Sequence, residues 1–313
     1  MAIRTSLAID RTITLDVNGS RQQLRIRAAR ADLPPLLVVQ GGPGLPLLHE
    51  VPKFERLLNL ERDFFVAYWE QRGCGIAPPN DANSASMLQQ VDDLRTILRW
   101  LSTETKQHII ILGISLGATF ALQAVAHELD RVRALIAISP DSQTARSDAA
   151  AHAFLQEQAR RAGGHRLRQR VLKVGEPPYL ETAGLQRRAT LLADLGAIEH
   201  GKKFGALFLE MLFSMLKTYG VVGTIKVLRN MNLVQRKLLP ELASLDLFTN
   251  PPRVAIPVHY VFGEQDALNP PSLIEQLPAA IAAPASTVIR VPNAGHMVHF
   301  DHPDIVRSIA ATA

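Results

Sequence analysis

The chain has 313 residues, of which 47% are apolar and 20% charged, with a formal net charge of +5. This length and composition are typical of a globular protein with one large domain or two smaller ones, and they exclude a chain that is disordered throughout. The single cysteine, Cys74, excludes a disulfide framework and a cysteine-rich metal site.

Short apolar runs alternate with helical patterns along the chain. The first two runs, residues 12–17 and 24–29, alternate apolar and polar side chains around a VNGS turn, which is typical of a half-exposed antiparallel hairpin. The later runs are almost continuously apolar, as strands covered on both faces are. They lie at residues 35–40, 64–69, 108–112, 134–139, 257–262 and 286–291. We therefore predict an α/β fold with an eight-stranded, mostly parallel sheet and helices on both faces.

One region departs from this alternation. From Asp141 to about Leu245 the sequence has helical patterns and no convincing strand pattern. We predict a core formed by residues 1–140 and 246–313, with residues 141–245 inserted between two strands as a helical cap, which we call the cap segment.

A serine stands between two glycines where a buried strand turns into a helix. Residues 113–117 read Gly-Ile-Ser-Leu-Gly. In this context the sharp turn lifts the hydroxyl of Ser115 out of the sheet, and the glycines allow neighbouring backbone to approach closely. The N-terminus of the following helix favours negative charge beside the serine. The pattern predicts that Ser115 is a nucleophile.

A serine nucleophile needs a base, and the base needs an orienting carboxylate. In this type of fold the order along the chain is serine, acid, histidine. Asp266 and His296 follow the last two predicted strands, at the sheet edge where ligands bind. Glu264 is an alternative acid, and His299 and His302 are alternative bases. We predict Asp266 and His296, and we expect His299 to pack or form a hydrogen bond at the start of the last helix.

Acyl transfer also requires donors for the developing oxyanion. One is expected to be the amide of Leu116, directly after the nucleophile, and the other comes from the loop after the third strand. That loop reads QGGPGLP over residues 40–46. The amides of Gly41 and Gly42 are the candidates, because neither residue has a Cβ that would shield its amide.

Together these motifs resemble the α/β-hydrolase superfamily, and within it the proline iminopeptidase-like branch of serine hydrolases. The motifs that carry the resemblance are GGPG at 41–44, EQRGCGIA at 70–77, GISLGA at 113–118 and NAGH at 293–296. The resemblance implies a triad of Ser115, His296 and Asp266 beneath a helical cap. The chain departs from the branch at Gln40, where a histidine is usual, and at Glu70, where an aspartate is usual.

The cap segment bears on the substrate. Members of this branch bind the substrate's N-terminal ammonium with cap carboxylates near a tryptophan-rich helix, but this cap segment has no tryptophan. It contains 16 Lys and Arg residues against 9 Asp and Glu residues, a balance that does not favour a cationic substrate. Glu210, in the apolar stretch 204–216, is the candidate amine ligand; the alternative is a carboxylate at the surface of the cap. The same apolar stretch also suits an acyl or ester pocket.

Three functions follow as hypotheses. The first is a proline iminopeptidase-like peptidase, the second a carboxylesterase or lactonase for an apolar small molecule, and the third a non-catalytic ligand-binding protein on the same fold. We expect a small-molecule or short-peptide substrate and no cofactor, since metal-ligand spacing and phosphate-loop motifs are absent from the sequence.

Other partners and the cellular location follow from what the sequence lacks. We expect no nucleic acid, because no basic block or binding motif is present. We expect no membrane contact and a cytoplasmic location, because no signal sequence is evident and no apolar run reaches the roughly 18 residues that a span requires.

Overall fold

The computed structural model describes residues 7–313 and contains one eight-stranded sheet. The strands are β1 (Ile9–Val17), β2 (Ser20–Ala28), β3 (Pro35–Val39), β4 (Phe65–Glu70), β5 (Ile109–Ile114), β6 (Val132–Ile138), β7 (Val258–Gly263) and β8 (Thr287–Val291). Their spatial order is β1-β2-β4-β3-β5-β6-β7-β8. The β1–β2 and β2–β4 pairs are antiparallel, and every later pair is parallel. The predicted mostly parallel sheet is confirmed.

Helices cover both faces of this sheet, as predicted. The helices are α1 (Val51–Leu58), α2 (Pro79–Asn83), α3 (Met87–Thr105), α4 (Leu116–Val125), α5 (Thr144–Ala162), α6 (His165–Val174), α7 (Thr182–Asp194), α8 (Phe204–Leu242), α9 (Pro271–Ile274), α10 (Leu277–Ile281), α11 (Val298–Asp301) and α12 (Pro303–Thr312). One face packs against α3, α4, α9 and α10, and the other against α1, α11 and α12. Strands buried on both sides explain the continuous apolar runs in the sequence.

Four helices, α5 to α8, lie between β6 and β7 and inside the cap segment. An isolated bridge between Gln143 and Asp246 joins the two chain segments that lead into and out of this insertion. The helices α5, α6 and α7 bury side chains against one another, including Leu155, Val171 and Leu192. The insertion therefore has a small apolar core apart from the sheet.

The longest helix of the cap segment is unusually apolar on its outer side. An 18-residue window of α8 has a mean hydropathy of 1.3, and 6% of that window is buried. By length and composition alone this is the one helix among residues 7–313 that could cross a membrane, and one such helix is weak evidence of a span. The backbone of α8 breaks at Gly220, where φ is 67°, and Phe213 and Val222 on either side of the break are largely exposed.

Candidate active site

Ser115 occupies a strained turn between β5 and α4. Its φ of 52° and ψ of −126° place a non-glycine residue in a backbone region that L-amino acids rarely adopt. The amide of Ser115 donates a hydrogen bond of 2.7 Å to the carbonyl of Ile138 at the end of β6. The turn is thus held against the neighbouring strand at the carboxyl edge of the sheet.

The two glycines of the motif are required by close backbone packing. A Cβ on Gly117 would lie 2.4 Å from the carbonyl oxygens of Val39 and Gln40, and a Cβ on Gly113 would lie 2.7 Å from Cα of Ala118. Neither contact is sterically possible without moving backbone. Gly117 therefore allows the start of α4 to sit directly against the end of β3 and the loop that follows it, and Gly113 allows α4 to pack closely on β5.

His296 and Asp266 lie together beside this turn, both fully buried. Nδ1 of His296 lies 2.9 Å from Oδ2 of Asp266, and the amides of Leu268 and Asn269 each donate to Oδ1 at 2.9 Å. Burial alone would lower the pKa of His296, but the Asp266 carboxylate raises it above the usual range, with a further contribution from Asp141. With Nδ1 donating to Asp266, Nε2 is left to act as a base.

The alternative residues lie elsewhere. Glu264 is exposed and pairs with Arg290 at 3.0 Å. His299 is completely buried and stacks on the Phe54 ring of α1, and burial lowers its pKa well below the usual range. His302 lies at the start of α12. Among the described residues, neither His299 nor His302 forms a hydrogen bond with Asp266, and Glu264 forms none with His296.

The predicted oxyanion loop lies against the serine. A Cβ on Gly41 would lie 2.9 Å from Cβ of Ser115, whereas a Cβ on Gly42 would meet only its own loop. Leu116 is the first residue of α4, so its amide has no acceptor within the helix. The side-chain amide of Gln71 holds the loop by donating to the carbonyl of Gln40 at 2.8 Å. Gly41 and Leu116 therefore flank the serine hydroxyl.

A second carboxylate contacts the serine, and it is not one of the predicted site residues. The hydroxyl of Ser115 donates to Oδ2 of Asp141 at 3.2 Å, and among residues 7–313 its hydrogen bond goes to Asp141 rather than to His296. The carbonyl of Asp141 accepts from the Thr119 hydroxyl at 2.7 Å, which anchors the loop. Burial raises the pKa of the Asp141 carboxyl. The available signal was its position just after β6, at the edge where ligands bind.

Cap residues hold the histidine loop in place. The amide of His296 donates to the carbonyl of Ala197, in the segment after α7, at 2.9 Å. The carboxylate of Asp301 accepts 2.9 Å hydrogen bonds from the amides of Gly295 and His200, so it joins the same two segments. Asp301 was also not identified from the sequence, because its partners are backbone groups brought together only by folding.

A cavity of about 170 Å³ opens between the core and α8. Its wall includes Gln40 from the oxyanion loop and Met297 next to the candidate base, so it adjoins the site. Seven of its fourteen lining residues are apolar: Leu45, Pro46, Ile198, Leu207, Met211, Met297 and Phe300. This composition suits an uncharged, apolar part of a substrate.

Glu210 lines this cavity but is held by lysines. Its carboxylate lies 2.7 Å from Nζ of Lys202 and 3.4 Å from Nζ of Lys53. The same lysines pair with Glu199 at 2.6 and 2.8 Å. Burial raises the pKa of the nearby Glu50 to about 7. The acidic side of the cavity is therefore largely matched by cations from the protein.

The described part of the chain contains a single buried cysteine and no cluster of side chains suited to a metal ion. Within residues 7–313, no group of three or more His, Cys, Asp or Glu residues is arranged to hold a metal ion. Cys74 is buried, and burial raises the pKa of its thiol well above the usual range. A thiol in that environment is a poor nucleophile.

Comparison with known proteins agrees with this architecture. The alpha/beta hydrolase fold family matches residues 34–303. A relative from Bacillus subtilis (strain 168), the probable aminopeptidase YbaC, is 24% identical over 297 residues, which cover 93% of this chain and 92% of the relative.

Two solved structures have the same fold over nearly the whole chain. The proline iminopeptidase-related protein TTHA1809 from Thermus thermophilus has a TM-score of 0.65 at 18% identity, covering 97% of this chain and 96% of that one. The CarC enzyme, a serine hydrolase involved in carbazole degradation, has a TM-score of 0.63 at 14% identity, covering 97% and 98%. The predicted resemblance to the proline iminopeptidase-like branch is confirmed, and the chain belongs to the alpha/beta hydrolase fold family.

Proposed function

We propose that this chain is a serine hydrolase that cleaves an ester or amide bond through an acyl-enzyme. The observation that carries the proposal is the buried 2.9 Å contact between His296 and Asp266, next to a serine held in a strained turn. Nucleophile, base and orienting carboxylate are the three parts that acyl transfer by serine requires.

The reaction follows from the roles of these groups. His296 Nε2 takes the proton of the Ser115 hydroxyl as the oxygen attacks the carbonyl carbon. Asp266 holds the imidazole in the required tautomer and stabilises its protonated form. The amides of Leu116 and of Gly41 or Gly42 stabilise the oxyanion. His296 then gives its proton to the leaving amine or alcohol, and water attacks the acyl-enzyme by the same route, releasing the acid and restoring the serine.

The hydroxyl must first turn from Asp141 toward the imidazole. Catalytic hydrogen bonds are often absent or long in unliganded sites and tighten when substrate binds. In this mechanism the hydroxyl turns by rotation about the Cα–Cβ bond of Ser115, the torsion that the fixed backbone of the turn leaves free.

As the first candidate activity we propose a proline iminopeptidase-like peptidase that acts on a small molecule or a short peptide. The name of the B. subtilis relative, a probable aminopeptidase, supports this class. Glu210 is the candidate ammonium ligand in the cap segment. A cationic substrate would have to compete there with Lys53 and Lys202.

A carboxylesterase or lactonase is the second candidate, and this pairing of Glu210 with two lysines is the observation in its favour. A carboxylate already matched by cations has little attraction left for a substrate amine. The apolar lining of the cavity suits an acyl or alkyl group equally well.

The test of hydrolase function is reaction with a fluorophosphonate probe, read by intact mass. We expect one adduct on the wild type and none on Ser115→Ala. An unlabelled wild type would overturn the proposal and favour a non-catalytic binding protein. Turnover of proline anilides and of p-nitrophenyl esters then separates the two substrate classes. If Glu210 binds the amine, Glu210→Ala abolishes peptidase turnover and leaves ester turnover nearly intact.

A further inference from the structure

The immediate surroundings of the Ser115 hydroxyl contain a carboxylate that the triad does not use. Asp141 Oδ2 lies 3.2 Å from the Ser115 oxygen. In the acyl-enzyme that oxygen is bonded to the carbonyl carbon, and an α-amino nitrogen is only two bonds farther along the acyl group. An α-amino group of the acyl residue therefore falls within hydrogen-bonding reach of a carboxylate placed here.

The charges around Asp141 leave its carboxylate without a direct cationic partner among the described residues. Arg188 is buried nearby, but its guanidinium forms an ion pair with Asp148. His296 is engaged with Asp266, and Asn269 is neutral. Arg188 also acts electrostatically on Asp141 and lines the same small cavity, so one guanidinium stands opposite the two carboxyl groups of Asp141 and Asp148.

A small cavity next to Asp141 carries the second, independent observation. Its volume is about 30 Å³, close to the share of one water molecule, and Asp141, Thr144, Ser147 and Arg188 line it. Three buried polar atoms of these lining residues have no hydrogen-bond partner within residues 7–313: the hydroxyl oxygens of Thr144 and Ser147, of which Ser147 is 4% exposed, and Nε of Arg188. Buried polar atoms without partners are uncommon and indicate a missing group.

We propose that Asp141, with the hydroxyls of Thr144 and Ser147, binds the cationic α-amino group of the substrate's acyl residue. The inference rests on the proposed function, since it takes Ser115 as the nucleophile. An ammonium has three donors and no acceptor, and the cavity offers a carboxylate and two hydroxyl oxygens as acceptors. This places amine recognition in the loop after β6 rather than at Glu210 on α8.

Amine binding also bears on the nucleophile. The Ser115 hydroxyl and the ammonium compete for the same carboxylate, and the ammonium is the stronger donor because it is charged. Occupation of the small cavity therefore weakens the hydrogen bond from Ser115 to Asp141 and favours rotation of the hydroxyl toward His296. A substrate with an α-amino group would in this way promote the reactive arrangement.

The test compares three p-nitroanilides that differ only in the acyl group: L-alanyl, propionyl, and a malonyl group that carries a carboxylate. The quantity is the ratio of kcat/KM for the alanyl substrate to that for the propionyl substrate. We expect the wild type to favour the alanyl substrate and Asp141→Asn to reduce the ratio roughly 30-fold or more, as for loss of one partner of a buried charge pair. Asn is nearly isosteric and keeps an acceptor for Ser115.

Matched variants distinguish the alternatives. Glu264→Gln removes an exposed carboxylate at the same sheet edge and should leave the ratio unchanged. A ratio that falls in Glu210→Gln but not in Asp141→Asn would overturn the inference, as would a wild-type preference for the propionyl or malonyl substrate or turnover of neither anilide. In each case labelling of wild-type Ser115 by the fluorophosphonate shows that the proposed function stands. An unlabelled wild type is the separate failure of that function.

Discussion

His296 and Asp266 lie 30 residues apart in the sequence and are joined by a buried contact of 2.9 Å between Nδ1 and Oδ2. The second carboxylate oxygen accepts two backbone amides, from Leu268 and Asn269, so the carboxylate cannot rotate away without losing both. Asp266 therefore fixes the imidazole of His296, and backbone amides in turn fix the carboxylate of Asp266. Preorganised catalysis requires such fixed groups.

The first prediction concerns this carboxylate. Asp266→Asn keeps the shape of the side chain but removes the charge that stabilises the imidazolium and selects its tautomer. We expect kcat to fall by about 10⁴-fold with the fold intact by circular dichroism. The measurement is steady-state hydrolysis of a p-nitrophenyl ester.

The matched control for this prediction is Glu264→Gln, a change at an exposed carboxylate two residues away that pairs with Arg290. It should leave kcat at the wild-type value. If Asp266→Asn retained most of the activity, or if Glu264→Gln lost it, the assignment of the orienting acid would be wrong.

A second prediction follows from the charge state of His296. Only the neutral imidazole can accept the serine proton, so activity rises as pH increases through the pKa of His296. Although burial lowers that pKa, Asp266 and Asp141 raise it above its usual value near 6.5 and outweigh Arg188. We expect the acidic limb of kcat/KM, measured with an uncharged ester, to lie above pH 6.5.

Removing one of these negative charges should move the limb. In Asp141→Asn the imidazolium loses a favourable interaction, so the pKa of His296 falls and the acidic limb shifts to lower pH. An unshifted or upward-shifted limb in this variant would contradict the electrostatic coupling between the two side chains.

Much of this architecture could be predicted from the sequence because local patterns determine it. Continuous apolar runs indicated the parallel strands, and the Gly-Ile-Ser-Leu-Gly sequence indicated the turn at Ser115. The positions of Asp266 and His296 at strand ends led to two residues that the structure brings together. The roles of these residues in catalysis stay a prediction.

The rest of the candidate site could not be predicted, because it depends on contacts between segments that are distant in the sequence. Glu210 lies on the predicted apolar helix, but Lys53 comes from α1, more than 150 residues earlier, and no local pattern indicates their ion pair. Asp141 was not predicted because the expected order along the chain places the acid after β7. Its distance to Ser115 depends on how β5 and β6 pair, which the sequence does not specify residue by residue.

A third prediction tests the close packing at the turn. A Cβ at Gly117 would lie 2.4 Å from two carbonyl oxygens of the β3 strand and its loop. Gly117→Ala should therefore lower the free energy of unfolding by about 1–3 kcal/mol or more and reduce fluorophosphonate labelling of Ser115, since the backbone must move. Urea unfolding and the labelling rate measure the two effects.

The control for the glycine substitution lies in α8. A Cβ at Gly205 would have no neighbour within 4 Å, so Gly205→Ala meets no steric obstacle. In an exposed helix this change should stabilise by up to about 1 kcal/mol and leave labelling unchanged. Equal destabilisation of both variants would show that close packing is not the reason for glycine at position 117.

A fourth prediction concerns Glu50, which lines the larger cavity and accepts a 2.8 Å hydrogen bond from the side chain of Gln40. Burial raises its pKa from 4.5 to about 7, although Lys53 and Gln40 oppose the shift. The folded chain therefore holds this proton more tightly than the unfolded chain does. The free energy of unfolding should fall as pH rises from about 4.5 to about 7, because the half-buried carboxyl must ionise.

Glu50→Gln removes this ionisation and keeps an acceptor for Gln40. Its free energy of unfolding relative to the wild type should be higher at pH 8 than at pH 4.5, by at most about 3 kcal/mol. Urea unfolding at both pH values measures the difference, with Glu275→Gln as a control because that carboxylate is well exposed.

If the Glu50→Gln difference were the same at both pH values, or larger at pH 4.5, the carboxyl would not be held protonated in the fold. The basic residues Lys53 and Lys202 would then be matching three ionised carboxylates, and the cavity would carry a net negative charge able to receive a substrate cation after all.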